Sequence, residues 1–342
     1  MLEYKTDRYL LVACDCLTYM RGMESNSVDC IITSPPYWAM REYDNSTDPS
    51  EVGNESDFEK YKKSLVTIFH EARRILKPSG SLWLNLGDKY CDKALLGMPW
   101  RVAIALIDDG WILRNDVIWN QLKGTQSAKD RLRDSYEHVF HFVKTKKYYY
   151  NADSIRIKPN LKPRIDGNVT ISSTGVSGKR YREQIASSEL TPQEKENALA
   201  ALEETLARIR SGEINDFRMA IRGVQRPWHS DNTNISGRAK ELKDRGFYIM
   251  RMGAKGPLPT DIWDIVTEDT WRKDSHYAVF PEQLLEIPLK ATCPEGGIVL
   301  DPFSGTGSTV SAALKHGYYG IGIDLSKQYT QTAFERIGQT LF

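Results

Sequence analysis

The sequence predicts an α/β protein built on a parallel sheet, and three observations carry that expectation. Short apolar, β-branched runs alternate with helix-period segments through 9–119 and again through 281–323. Strand, helix, strand, helix is the pattern of parallel strands joined by crossover helices. The runs also end at residues that carry chemistry, and in open sheets of this kind ligands bind at the carboxyl ends of strands.

Each element follows in order. Residues 9–14 are β-like and end at Asp15, a residue type suited to capping the helix at 17–23. The run 28–32 is a buried strand. It stops at Thr33-Ser34-Pro35-Pro36-Tyr37-Trp38, because two prolines have no N–H to give a ladder. Residues 41–56 read as a lid-like loop. Apolar positions at helical spacing from Phe58 to Ile75 predict a helix over 58–76, stopped by Lys77-Pro78-Ser79-Gly80. A strand at 81–86, a helix at 99–108 and strands at 111–119 and 136–143 follow. The pattern breaks at 151–255, which is polar and, over 158–255, carries 18 Lys+Arg against 12 Asp+Glu. Inside it Thr191, Pro192 and Glu194 form a capping-box signature, and Leu199, Leu202, Leu206 and Ile209 form an apolar stripe. Structure resumes with a helix start at Phe280-Pro281-Glu282. A strand at 298–300, a helix at 310–316 and a strand at 318–323 ending at Asp324 complete the chain.

Composition narrows the functional classes. The chain has 342 residues, 40% hydrophobic and 27% charged, ordinary for a globular protein with a large core and an insertion. Net charge is +1, so any nucleic-acid surface is local. The candidates are Lys179, Arg180, Arg182, Arg222, Arg226 and Arg238, since Arg and Lys neutralise phosphates and Arg reads base edges. A solvated variable insertion is the bland alternative. The five cysteines lack zinc spacing, so no metal site is expected; Cys14 and Cys16 read as neighbours on one strand face. No signal peptide or membrane-spanning run appears, which points to the cytoplasm.

Two stretches carry the chemistry. The first, at 33–38, sets a hydroxyl, carbonyls and two aromatic faces at a strand end, a set able to grip a flat, amine-bearing ring. The second is Asp301-Pro302-Phe303-Ser304-Gly305-Thr306-Gly307, a strand-to-helix turn of nucleotide-binding type. No lysine precedes Ser308-Thr309, so it is not a P-loop, and the third glycine of a dinucleotide loop is missing. Asp301 would repel a pyrophosphate. A sulfonium adenosine cofactor suits the pair, with ribose toward Asp324 and the positive end toward Asp301.

Together these stretches resemble the β-class amino-methyltransferases of DNA that use S-adenosylmethionine. Thr33 to Trp38 is similar to their catalytic motif and Asp301 to Gly307 to their cofactor motif, with the catalytic motif first. Residues 129–151, including Ser135-Tyr136-Glu137, are similar to the same group; Tyr277 departs from it, where many members carry proline. The resemblance implies a Rossmann-like methyltransferase domain over 1–150 and 256–342, in circular order, with an inserted target-recognition region at 151–255. It implies S-adenosylmethionine as cofactor, held by Asp15, Thr33, Phe280, Pro281, Asp301, Phe303, Gly305, Gly307 and Asp324. It implies catalysis by Ser34, Pro35, Pro36 and Tyr37, with Tyr37 stacking on the base and Trp38 beside it as a second stacking wall or as core. Serine first and tryptophan after the aromatic are typical of cytosine-N4 methylation, with adenine N6 as the alternative. Double-stranded DNA and a cognate restriction endonuclease are the implied partners of a monomer or homodimer. Rivals from other classes are an inert nucleic-acid-binding module on the same fold and an enzyme acting on RNA or a small molecule.

Overall fold

The computed structural model describes residues 2–39, 51–122, 129–158, 161–224, 237–267 and 281–341. Phe280, Arg226, Tyr277 and most of the lid-like loop lie outside them. The chain forms two compact units, 1–155 with 260–342, and 156–259.

The first unit holds a nine-stranded sheet. Its order is Leu2–Lys5, Tyr9–Ala13, Tyr319–Asp324, Ile298–Asp301, Val28–Thr33, Leu76–Leu86, Tyr136–Val143, Ile112–Asn120, Ile262–Asp264. The five strands from Tyr9–Ala13 to Leu76–Leu86 are mutually parallel. Leu2–Lys5 and Tyr136–Val143 run antiparallel to their neighbours, so the sheet is mostly parallel with antiparallel strands toward both ends. Ile112–Asn120 and Tyr136–Val143 follow one another with no helix between them among the described residues, and without a crossover the chain returns antiparallel.

Helices cover both faces. Cys16–Gly22, Phe58–Ile75 and Met98–Asp108 pack on one, around Ile31, Leu82, Leu84, Phe140 and Phe142. Glu282–Thr292 and Ser308–Lys315 pack on the other, around Cys30, Ile32, Trp83 and Val299. The apolar side of Phe58–Ile75 is fully buried, and Asp57 Oδ1 caps its start by accepting from Lys60 N at 2.9 Å. Lys77 to Gly80 does not form a separate stop. Leu76–Leu86 is one strand, with a register irregularity opposite Val28 and Cys30. Cys16 opens a helix and does not share a strand face with Cys14.

The second unit has its own core. The helices Gly178–Ser187 and Pro192–Arg210 pack on a hairpin of Ile214–Ile221 with Phe247–Gly253, burying Tyr181, Leu202, Leu206, Phe217, Met219 and Phe247. The capping box at Thr191 and Glu194 is formed in both directions. Leu199 is exposed, and Ala198 takes its place in the buried stripe. Among the described residues no helix is long and apolar enough to cross a membrane.

Candidate active site

Both motif-bearing strands end at one edge, side by side. Val299 pairs with Cys30 and Leu300 with Ile31, which brings the strand ending at Asp301 against the strand ending at Thr33. Thr33 is fully buried and its Oγ1 donates to Asp301 Oδ1 at 2.6 Å. The same oxygen accepts from Phe303 N at 3.0 Å, and Thr309 Oγ1 donates to Asp301 Oδ2 at 2.7 Å. Burial pushes this carboxyl up to about 6, against the pull of Thr33, Thr309 and the Phe303 amide. The expectation that Asp301 faces the positive end of a ligand is corrected here. It is 2% exposed and turned inward, so it shapes the loop and does not present its charge.

The loop is tied on its other side by Asp324. Its Oδ2 accepts from Gly305 N and its Oδ1 from Ser326 N, each at 2.8 Å, and burial raises its pKa. Asp15 caps the helix Cys16–Gly22 by accepting from Thr18 N at 2.7 Å, and Cys14 N donates to the Asp324 carbonyl at 2.9 Å. Gly305 sits at φ +50°, with no atom within 4 Å of where a Cβ would stand. Ser304 Oγ is buried without a hydrogen-bond partner. Open space over Gly305, an unpartnered hydroxyl and no lysine or arginine in 301–309 fit an adenosyl sulfonium and do not fit a polyphosphate. Phe303 is half-buried against the core, and Pro281 is buried at the start of Glu282–Thr292.

The catalytic motif makes a second cluster. Ser34 Oγ donates to Tyr37 Oη at 3.3 Å, and Tyr37 Oη donates to Glu137 Oε2 at 2.6 Å. Asn85 Nδ2 donates to the same Glu137 oxygen at 3.0 Å, and Gln121 Nε2 to Glu137 Oε1 at 2.9 Å. Burial and the Glu137 charge hold the Tyr37 phenol well above its usual value. The Tyr37 ring lies against Gly87, where a Cβ would come within 2.7 Å of Cε2. The Pro36 carbonyl accepts from Tyr61 Oη at 2.9 Å. Of its two expected placements, Trp38 is seen packed against the core. Its Nε1 donates to the Glu55 carbonyl at 2.8 Å, and its ring packs edge-on to Phe58 at 6.0 Å.

Asn85 and Gln121, which the sequence motifs do not mark, join this cluster, as does Glu137, which lies in the Ser135-Tyr136-Glu137 stretch but has no role assigned there. Asn85 leaves a signal, as an amide inside the apolar strand Leu82-Trp83-Leu84-Asn85-Leu86. Glu137 begins a strand, and only an antiparallel strand begins at the edge where its parallel neighbours end.

The basic candidates of the second unit divide. Lys179 and Arg180 are exposed on Gly178–Ser187, and Arg238 is exposed on Gly237–Arg245. Arg182 is paired to Glu203 at 2.6 Å. Arg222 holds both Glu194 oxygens at 2.8 Å and donates to the Lys243 carbonyl. These two arginines, expected to contact DNA, are engaged within the unit.

A three-layer sheet with a glycine loop at the carboxyl edge, beside a Ser-Pro-Pro-Tyr turn, defines an S-adenosylmethionine-dependent methyltransferase. A family model described as DNA methylase, for N6 and N4 methyltransferases, matches residues 28–335, and the chain belongs to that family. It is 30% identical to the type II methyltransferase M.SfiI of Streptomyces fimbriatus, over 94% of this chain and 89% of that one. It is 28% identical to M.SmaI of Serratia marcescens, over 96% and 90%. Among solved structures it superposes on the PvuII DNA methyltransferase, described as cytosine-N4-specific. The TM-score is 0.59 at 16% identity, covering 98% of this chain and 92% of that one.

Proposed function

We propose that this chain is the site-specific methyltransferase of a type II restriction–modification system, cytoplasmic and acting on double-stranded DNA beside a cognate endonuclease. Its product is N4-methylcytosine. The observation that carries the reading is the Ser34-Pro35-Pro36-Tyr37 turn, at the end of the strand hydrogen-bonded to the Asp301 strand. Serine at the head of that turn, with Trp38 after the aromatic, favours cytosine over adenine, and the names of the relatives support the restriction–modification setting.

The residues divide the work as follows. The target base leaves the duplex, because its amine is otherwise paired. Tyr37 offers its ring for stacking, worth about 1–3 kcal/mol per base. Ser34 Oγ and the Pro35 carbonyl accept the two N–H bonds of the amine. Among the described residues no donor occupies the Pro35 carbonyl, whereas the Pro36 carbonyl is taken by Tyr61. Two acceptors draw the amine toward a tetrahedral nitrogen whose lone pair points at the methyl donor. The loop at Gly305 and the carboxylate of Asp324 would hold S-adenosylmethionine, which would supply that methyl already activated on a sulfonium. Positioning and aligned dipoles then provide most of the acceleration. The exposed Lys179, Arg180 and Arg238 are the proposed phosphate contacts of the inserted target-recognition unit.

The test is product identity. The purified protein is incubated with labelled S-adenosylmethionine and unmethylated DNA of mixed sequence, and the digest is resolved into nucleosides. Label in N4-methylcytosine is expected. Label in N6-methyladenine overturns the base assignment and keeps the family. No label in DNA with the cofactor still bound overturns the reading.

A further inference from the structure

The geometry points to a proton relay from Ser34 through Tyr37 to Glu137, with Glu137 as the terminal acceptor of the proton that the methylated amine must lose. The inference rests on the amino-methyl transfer proposed above and names the base which that reaction needs.

Three observations support it. The hydroxyls of Ser34 and Tyr37 form a directed chain, Ser34 Oγ donating to Tyr37 Oη and Tyr37 Oη donating to Glu137 Oε2. The chain ends on a carboxylate, a group that can take up a proton and release it on turnover. That carboxylate is fixed from other directions by the side-chain amides of Asn85 and Gln121; Asn85 Oδ1 is a second, longer acceptor for Tyr37 Oη at 3.4 Å, but a neutral amide does not take up the proton as a carboxylate does. A stacking tyrosine needs no such partner. Phenylalanine would stack as well, and a merely buried phenol could be satisfied by a neutral carbonyl.

The step balances. The amine nitrogen forms the new N–C bond with its lone pair, and the S–C bond breaks with its electrons left on sulfur. The nitrogen then carries one proton too many. That proton passes to Ser34 Oγ as the Ser34 proton passes to Tyr37 Oη and the Tyr37 proton to Glu137 Oε2. Ser34 and Tyr37 end as they began, and Glu137 ends as the neutral acid. The desolvated Tyr37 phenol resists standing as a phenolate, so it accepts and donates in one motion. Glu137 touches neither base nor cofactor in this scheme; it acts through Tyr37 and Ser34.

Single-turnover methyl transfer is measured for the parent, Glu137→Gln, Tyr37→Phe and the double variant. Cofactor affinity by calorimetry and DNA affinity are measured alongside. General-base help contributes typically 10²–10⁴-fold, so each single variant is expected to lose about 100-fold in transfer rate. Both affinities should hold within about twofold, and the double variant should be no slower than the worse single, because members of one relay are not additive. The solvent deuterium isotope effect of the parent should collapse in both singles. Glu137→Gln keeping its rate within about threefold overturns the relay. So do losses that multiply in the double variant, which mark independent roles. A parent that places no methyl on a DNA amine overturns the functional reading itself, and the relay falls with it.

Discussion

Thr33 Oγ1 and Asp301 Oδ1 are 2.6 Å apart, a buried hydrogen bond between residues 268 positions apart in the chain. It joins the last residue of the catalytic strand to the last residue of the cofactor strand. Asp301 then passes the constraint on, through Phe303 N into the glycine loop and through Thr309 Oγ1 into the helix behind it. The relative position of the two motifs is therefore held by a buried carboxylate of one strand, bonded to the other strand and to the loop.

A pH dependence follows from that arrangement. The carboxyl of Asp301 lies at about 6 in the folded protein, against about 3.9 unfolded. Between those values the folded state binds more protons, so this group's contribution to stability falls as pH rises from about 4 to about 6. Asp301→Asn cannot titrate. Its stability relative to the parent should climb through that window by about 3 kcal/mol, and level off above it. Urea unfolding of both proteins without cofactor, at half-unit pH steps, checks this. A difference independent of pH would mean that the carboxyl is not held proton-bound by burial.

The edge that gathers these residues is legible in the sequence, because strand ends are marked by what cannot continue a strand. Pro35 and Pro36 stop one strand and Gly305 allows the turn after another, and the sheet sets these two strands side by side. Local pattern does not supply strand direction. Tyr136–Val143 reads as an apolar run in either direction, yet only its antiparallel course brings Glu137 to Tyr37. Nor does charge alone say which basic residues are free. Arg222 and Lys179 look alike in composition, but Glu194 serves a capping box and an arginine at once. The hairpin of the second unit escapes a reading of the sequence because its two short strands, Ile214–Ile221 and Phe247–Gly253, are set in a long stretch that is polar and basic overall.

His141 sets an opposing slope. Its ring is buried, stacked on Trp83 at 4.3 Å, with Nε2 3.0 Å from Ser81 Oγ. Burial, aided by the Arg114 charge, lowers its pKa to about 3. Below about 6.5 the unfolded state binds the extra proton, so this contribution is full above 6.5 and is lost progressively toward 3. His141→Phe should be less stable at pH 7, by about 1–3 kcal/mol, because Ser81 Oγ loses its partner. Its deficit should shrink by up to about 1.4 kcal/mol for each unit of acidification. Between about 4 and about 6 the Asp301 and His141 slopes oppose, so each single variant exposes the other's. The same urea series reads both, and equal pH profiles for His141→Phe and parent would reject the neutral buried ring.

Gly87 tests the catalytic cluster without touching a polar group. A Cβ there would stand 2.7 Å from Tyr37 Cε2 and 3.4 Å from Glu137 Cδ. Gly87→Ala must push the ring away from the strand, and the 2.6 Å hydrogen bond to Glu137 opens. Overpacking of this kind costs about 1–3 kcal/mol. The transfer rate should fall at least tenfold while cofactor affinity, proposed to be set at Asp324 and Gly305, stays within about twofold. In a Tyr37→Leu background the added methyl should cost much less stability, since the clashing ring edge is gone. Thermal unfolding of the four proteins, with single-turnover rates for the two that keep Tyr37, decides it.

The two kinds of basic residue in the second unit should separate in DNA binding. Lys179 and Arg180 are exposed on Gly178–Ser187, and each phosphate that such a side chain neutralises releases condensed counterions on binding. Replacing both with alanine should weaken binding to DNA of any sequence about equally. It should also reduce the slope of log affinity against log salt by about one for each phosphate no longer neutralised. Arg222 already spends its guanidinium on Glu194 and the Lys243 carbonyl. Arg222→Ala should leave the salt slope unchanged and instead lower stability, by no more than about 1 kcal/mol, since the pair is partly exposed. Filter-binding titrations at several salt concentrations, with urea unfolding of the same proteins, measure both effects. A salt slope that drops for Arg222→Ala and holds for the Lys179 and Arg180 pair would reverse the assignment, and would place the DNA on the hairpin side of the unit.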